Sequence, residues 1–205
     1  MLHARKLASR GDDPKEDHFV YLDGVSWADY ERLMKLRGEG SVPRLAYEQG
    51  VVELMSPSRE HESIKSWIGR LVEVWCDVHD VEFRPVGSWT LKNKRKKTGV
   101  EPDECYVFGD RRVMRRPDLA IEVVWTSGGL DKRDLYRRIG VPELWFWRRG
   151  RISIHGLRPS GYVEVQKSEM LPGINLVELA SFVHPRMTSR ALRAYRATLR
   201  KRKGA

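Results

Sequence analysis

The chain has 205 residues, 40% of them apolar, with 7 tryptophans, which suits one globular domain with its own core and excludes a disordered or fibrous chain. A formal charge of +10 and a pI near 9.8 fit a polyanionic partner, most simply nucleic acid, although a solvated basic surface has the same composition. Cys76 and Cys105 make neither a disulfide framework nor a zinc pattern, so the expectation is two buried reduced thiols in a cytosolic protein. No run reaches the ~18 apolar residues of a membrane span, and the first residues lack the apolar stretch of a signal peptide.

Residues 1–17 are polar and read as a poorly ordered segment before a single domain over 18–185. Ser26 is a plausible N-cap for a short helix patterned on Trp27, Tyr30, Leu33 and Met34, which Gly38 to Ser41 ends. Arg44 to Tyr47 and Val51 to Met55 flank Glu48-Gln49-Gly50 as a hairpin. Ser56-Pro57-Ser58 opens a long helix whose stripe is Ile64, Trp67, Ile68, Leu71, Val72, Trp75 and Val78. Residues 81–91 read as a strand, and Lys92 to Gly99 as a basic loop. Strands follow at about 102–108 and 118–125. A short helix near 131–139 ends at Gly140, a good residue for a left-handed cap. Leu144 to Trp147, Ile152 to Leu157 and Gly161 to Gln166 read as strands. Residues 171–183 read as loop and short helix, and 186–205 as a basic helix or tail. The central order of helix, three strands, helix, strand predicts an α/β fold with a mixed central sheet, an N-terminal hairpin and added C-terminal strands.

Charges in apolar runs are rare unless they are paired or hold a metal. Glu122 interrupts Leu119-Ala120-Ile121-Glu122-Val123-Val124-Trp125, a strand apolar on both faces and therefore central. Asp103 starts the preceding strand. Lys132 shares a helix face with Leu135, Tyr136 and Ile139 and would reach back to the two carboxylates. Each has a plainer reading: an arginine salt bridge for Glu122, a strand start for Asp103, a snorkelling stem for Lys132. Together, two carboxylates and an ammonium are a minimal kit for metal-assisted phosphodiester hydrolysis. His61 lies on the long helix's stripe, where a core histidine and a functional one are equally compatible. Glu62, in the first turn, suits the helix dipole, and Glu53 sits in the hairpin's second strand. The basic residues Lys92, Lys94, Arg95, Lys96 and Lys97 can track a phosphate backbone or form a solvated loop.

These segments resemble the Uma-type restriction endonucleases, a branch of the PD-(D/E)XK nuclease superfamily. The resemblance runs over about residues 25 to 160. It rests on Gly50 to Pro57 with His61-Glu62, on Glu101-Pro102-Asp103, on Pro117 to Val123, on Lys132 with Tyr136, and on Gly140 to Trp145. It implies a restriction-endonuclease-like core. Pro102-Asp103 becomes the first acidic element and Glu122 the second. Val124 stands where the usual lysine falls, and Lys132 looks like its migrated replacement. Many members carry a glutamate at the position of Ala46, so Glu62 or Glu53 is the expected third carboxylate. The implied function is an endonuclease using Mg²⁺ or Mn²⁺ held by Asp103, Glu122 and Glu62 (or Glu53), with Lys132, His61 and Glu62 assisting, acting on DNA. No organic cofactor or membrane is expected. An enzyme that cuts both strands often works as a homodimer. The competing reading is a non-catalytic nucleic-acid-binding or interaction module in which the charges form a structural ion network.

Overall fold

The computed structural model describes residues 3–6 (backbone only), 16–124, 129–184 and 186–204. In chain order its first elements are β1 (His3–Lys6), β2 (His18–Asp23), α1 (Trp27–Arg37), β3 (Arg44–Glu48), β4 (Val51–Ser56) and α2 (Arg59–Val78). Then come β5 (Phe83–Pro85), β6 (Leu91–Asn93), β7 (Thr98–Val100), β8 (Glu104–Phe108), β9 (Leu119–Val123) and α3 (Lys132–Ile139). The last are β10 (Glu143–Arg148), β11 (Arg151–Arg158), β12 (Gly161–Val165), α4 (Leu176–Phe182) and α5 (Ser189–Lys203). Of the first 17 residues, 1–2 and 7–15 lie outside the described residues. His3–Lys6 pairs with β2, and Asp17 is buried. Trp125, expected at the end of a strand, also lies outside them.

The strands form an α/β architecture of two six-stranded sheets. One runs β1-β2-β4-β3-β7-β6 and is antiparallel throughout. The other runs β12-β11-β10-β9-β8-β5 and is mixed, because β9 and β10 are parallel. The crossover between those two parallel strands contains α3. The expected hairpin is β3–β4, closed by Gln49 (φ 44°) and Gly50 (φ 106°). Positive φ at both central residues suits a turn whose twist matches its strands. The hairpin belongs to a larger sheet because β2 pairs with β4, a strand the sequence reading did not assign.

Two expectations need correcting. Residues 81–91 are not one strand: β5 pairs with β8 in the mixed sheet, while β6 pairs with β7 in the other. Pro85 and Gly87 (φ 59°) interrupt the segment as the chain crosses between sheets. Lys92 to Gly99 is not a free loop either. Lys92 and Asn93 belong to β6, Thr98 and Gly99 to β7, and only Lys94 to Lys97 make the turn. The run of charges reflects an edge hairpin with solvated side chains, which composition cannot distinguish from a loop.

Helix ends follow their caps. Ser26 Oγ accepts from Asp29 N at 3.2 Å, and Gly38 (φ 68°) ends α1. Ser58 Oγ accepts from His61 N at 3.2 Å to open α2. Asp131 Oδ1 accepts from Arg133 N at 3.0 Å, and Gly140 closes α3 in the left-handed conformation. The predicted stripe of α2 is buried apart from the half-buried Trp67. It packs on Leu119, Ile121 and Val123, with α4 and α5 alongside. The opposite face of the mixed sheet supplies Cys105, Ala120 and Leu144. These meet Leu135 and Tyr136 of α3, and Ala46, Leu91 and Val100 of the other sheet. Helix α3 is therefore wedged between the sheets, and both free cysteines are buried. Among the described residues no helix is long and apolar enough to cross a membrane.

Candidate active site at the junction of the sheets

Strand alternation decides which charges face inward. In the β3–β4 pairing Arg44 opposes Met55 and Ala46 opposes Glu53, and in β2–β4 Tyr21 opposes Glu53. Directly paired residues share a face, so Arg44, Glu53 and Tyr21 project from one side of the antiparallel sheet. From the mixed sheet, Glu122 shares its face with Ala120. Asp103 precedes β8 by one residue. The pairing of Glu104 with Ile121 puts Asp103 across from Glu122. Arg44 is 4% exposed, Glu53 and Asp103 1%, and Glu122 4%. Groups buried this deeply need partners, and each has them.

Asp103 is held from three sides. Oδ1 takes a charge-assisted bond from Arg44 Nη1. Oδ2 accepts from Val123 N at 2.6 Å and lies 3.0 Å from His61 Nε2. His61 Nδ1 lies 3.0 Å from Asp17 Oδ2, and Asp17 Oδ1 accepts from Ser58 N at 2.7 Å. The start of α2 thus ties Asp17, His61 and Asp103 into one chain. Burial pushes Asp17 up, but the hydrogen bond and charge of His61 and the Ser58 amide outweigh it and hold the carboxyl below its ordinary value. Arg44 also bonds Glu62 through Nη2, and Glu62 is 3.1 Å from Lys65 Nζ.

Lys132 connects the other two carboxylates. Its Nζ lies 3.6 Å from Glu53 Oε1. Burial pushes the ammonium down, yet Glu122 and Glu53 outweigh burial and raise it above its ordinary value. It stays a cation and is no base at neutral pH. Glu53 Oε2 also accepts from Leu130 N at 2.7 Å and Tyr21 Oη at 3.2 Å. Glu122 Oε1 accepts from Tyr136 Oη. Burial, with Glu122 second, pushes that phenol far above its ordinary value, so it remains a donor.

The structure therefore brings Asp103, Glu122, Lys132, His61 and Glu53 to one junction. Glu62 lies on the Arg44 side with 39% of its side chain exposed, whereas Glu53 shares Lys132 with Glu122. Lys92 and Lys94 to Lys97 are not in the cluster. Their hairpin packs on α3, and Lys96 Nζ donates to Arg138 O at 2.9 Å in the last turn of the helix, at the opposite end from Lys132. Arg44, Asp17, Tyr21 and Tyr136 were not singled out as site residues by sequence reasoning. The available signal was Arg44 alternating with Ala46 on a strand that proves buried on both faces.

Among the described residues no three His, Cys, Asp or Glu side chains are grouped as a metal site. The donors nonetheless fit a hard divalent cation in kind and charge. All three innermost carboxylates offer oxygen, as Mg²⁺ prefers. Asp17, Glu53, Asp103 and Glu122 also outnumber the fixed cations Arg44 and Lys132, leaving His61 between two acids. Arg44 is the cation now bound to Asp103.

Elsewhere the fold uses buried carboxylates differently. Glu101 is clamped by Arg37 at 2.7 and 2.8 Å, with Leu45 N and Thr90 Oγ1. Glu143 takes Trp145 Nε1, Ser168 Oγ and two backbone amides. Neither acid adjoins a lysine at the sheet junction, and both read as structural.

Residues 27–188 match the family model Uma2, described as "Putative restriction endonuclease". No curated protein matches the chain. Among solved structures, a "putative nuclease belonging to DUF820" from Anabaena variabilis is 14% identical with a TM-score of 0.47, covering 84% of this chain and 99% of that one.

Proposed function

The chain belongs to the Uma2 family, and from that premise we propose that it is a metal-dependent endonuclease hydrolysing phosphodiester bonds of DNA. The observation that carries the reading is the buried charge network at the sheet junction, in which Lys132 is kept charged by Glu122 and Glu53 and Asp103 lies across from Glu122 in the strand register. Charge buried at this cost is characteristic of functional sites. Asp103, Glu122 and Glu53 would hold Mg²⁺ or Mn²⁺. When bound, the ion would polarise the scissile phosphate and acidify a water.

The chain's own residues have separable tasks. Lys132 neutralises charge on the phosphorane or orients the attacking water, because a fixed ammonium donates and does not accept. Tyr136 and Lys132 aim Glu122 and Glu53. His61 and the Val123 amide aim Asp103, which makes His61 a positioning residue. Arg44 must release Asp103 Oδ1 before that oxygen can ligate. Glu62, already paired with Arg44, offers the guanidinium an alternative partner. In the reaction a water oxygen bonds to phosphorus as the ester P–O bond breaks, and the leaving oxygen gains a proton.

The expected outcome is nicking or degradation of DNA with Mg²⁺ or Mn²⁺ and none in EDTA. Asp103→Asn, Glu122→Gln and Lys132→Met should each remove most activity, and their effects should not add because they serve one transition state. Circular dichroism must show each variant folded. A folded Lys132→Met that cuts at the wild-type rate would end the role given to that lysine. The second reading, a binding module, draws on Asp103 being satisfied without a metal. It gains if the wild type cuts no nucleic acid under any divalent cation.

A further inference from the structure

Pairing register extends the row that contains Glu122. In the parallel pair β9–β10 it opposes Phe146, and in the antiparallel pair β10–β11 Phe146 opposes Ser153. Glu122, Phe146 and Ser153 therefore lie side by side on one face, one strand spacing of about 4.8 Å apart. The next row on that face holds Leu144, His155 and Glu164. Above these rows is a cavity of about 340 Å³. Lys132 and Arg133 from the start of α3 wall it on one side, and Arg148 closes it at the end of β10. Its lining includes Val124 and Arg148, at the carboxyl ends of the two parallel strands, the side on which open α/β sheets bind ligands. Lys132 belongs both to this cavity and to the charged cluster.

The lining has a particular chemistry. Phe146 is only partly buried, and His155 stands edge-on to it at 81° with centroids 5.3 Å apart. His155 is 8% exposed and its Nε2 lies 3.1 Å from Ser153 Oγ. Burial lowers the affinity of this imidazole for a proton, which favours the neutral ring. Arg133 and Arg148 are exposed at the rim, with Asp131 and Glu164 completing it. The lining thus combines cationic groups, an aromatic ring, and neutral and anionic hydrogen-bonding groups. Small-molecule pockets start near ~300 Å³, so the space suits one nucleotide and no larger element.

Resting on the endonuclease reading, we propose that this cavity is a subsite for the nucleotide next to the scissile phosphate. Its phosphate would lie toward Lys132 and Arg148, and its base would stack on Phe146 with its edge toward Ser153, His155 and Glu164. Because a base must leave its helical stack to enter, the site favours single-stranded or locally opened DNA over intact duplex.

The test is equilibrium binding in EDTA, which separates the subsite from catalysis. The probes are a 5′-phosphorylated thymidine dinucleotide and inorganic phosphate, titrated against wild type, Phe146→Leu and Arg148→Ala. Leucine keeps the apolar volume and removes the π face. Phe146→Leu should weaken the dinucleotide roughly tenfold, the scale of one lost stack, and leave phosphate unchanged. Arg148→Ala should weaken both. Thermal melts confirm folding, and a melted Phe146→Leu sample is replaced by Phe146→Met. Dinucleotide binding no tighter than phosphate, or unchanged by loss of the ring, overturns the subsite. Phe146-dependent binding with no cleavage of DNA under Mg²⁺ or Mn²⁺ keeps the cavity as a nucleotide-binding pocket and overturns the endonuclease reading and the scissile-phosphate position with it.

Discussion

Arg44 carries the strongest tension at the residue scale. It is buried, it neutralises Asp103, and its Nε has no hydrogen-bond partner among the described residues. Removing one member of a buried ion pair strands the other, at about 3–5 kcal/mol. Arg44→Met should therefore lower stability by that order. If the guanidinium competes with a divalent cation for Asp103, Mn²⁺ should restore more stability to Arg44→Met than it gives wild type. Binding at a hundredfold excess over Kd adds about 2.7 kcal/mol. Urea titrations with and without Mn²⁺ measure both shifts, and equal shifts in the two proteins would show that Arg44 and the ion do not compete. Glu122 and Lys132 stood out in the sequence because each interrupts an apolar strand or helix face, whereas Asp103, flanked by Glu101, Pro102 and Glu104, stood out only beside Glu122 and through the family resemblance. Arg44 did not stand out. In Arg44-Leu45-Ala46-Tyr47, alternation alone puts the arginine on whichever face is solvated, and only the second sheet makes that face interior.

Elements were legible in proportion to how local their determinants are. Helix α2 declares itself by a cap and a regular stripe, and α3 by its left-handed glycine. The break between β5 and β6 is long-range: each short segment is defined by a partner strand in a different sheet. Asp17 escaped for the same reason. It lies in a polar stretch without period, and its partners Ser58 and His61 are more than 40 residues away. That contact makes the start of α2 acid-sensitive. A carboxyl held below its ordinary value of 3.8 stabilises the fold fully above that value and loses the contribution as pH falls through the lowered one. Unfolding midpoints should therefore drop on acidification below about pH 4. Asp17→Asn should start less stable at neutral pH and show a shallower drop. An identical acid limb in the variant would place the sensitivity elsewhere.

At the scale of the whole molecule, the mixed sheet separates two basic surfaces. One is the β6–β7 turn with Lys94, Arg95, Lys96 and Lys97, which packs beside α3 on the face carrying Glu122. Helix α3 has eight residues and so spans about 12 Å, with Lys132 at its first position and this turn near its last. The other surface is α5, which buries Tyr195 and Leu199 against the opposite face through α2. Several of its charges are already committed: Arg196 to Asp77, Arg202 to Glu178 and Lys203 to Asp80. Net charge alone made both stretches equal candidates for a phosphate track, and only topology distinguishes them. On the proposed endonuclease reading, DNA lying across the junction of the sheets meets the turn, whereas α5 packs on the opposite face of the mixed sheet. Counterion release makes the slope of log affinity against log salt count phosphate contacts, about 0.9 per contact on duplex and 0.7 on a single strand. Replacing Lys94, Arg95, Lys96 and Lys97 with alanine should flatten that slope by up to about 3.6 on duplex or about 2.8 on a single strand. Replacing the exposed Arg190, Arg193, Arg200 and Lys201 of α5 removes the same formal charge and should leave it nearly unchanged. Equal flattening by both sets would mean that affinity follows net charge rather than a track leading to the site. A steeper loss from the α5 set would move the nucleic-acid interface to the back of the sheet.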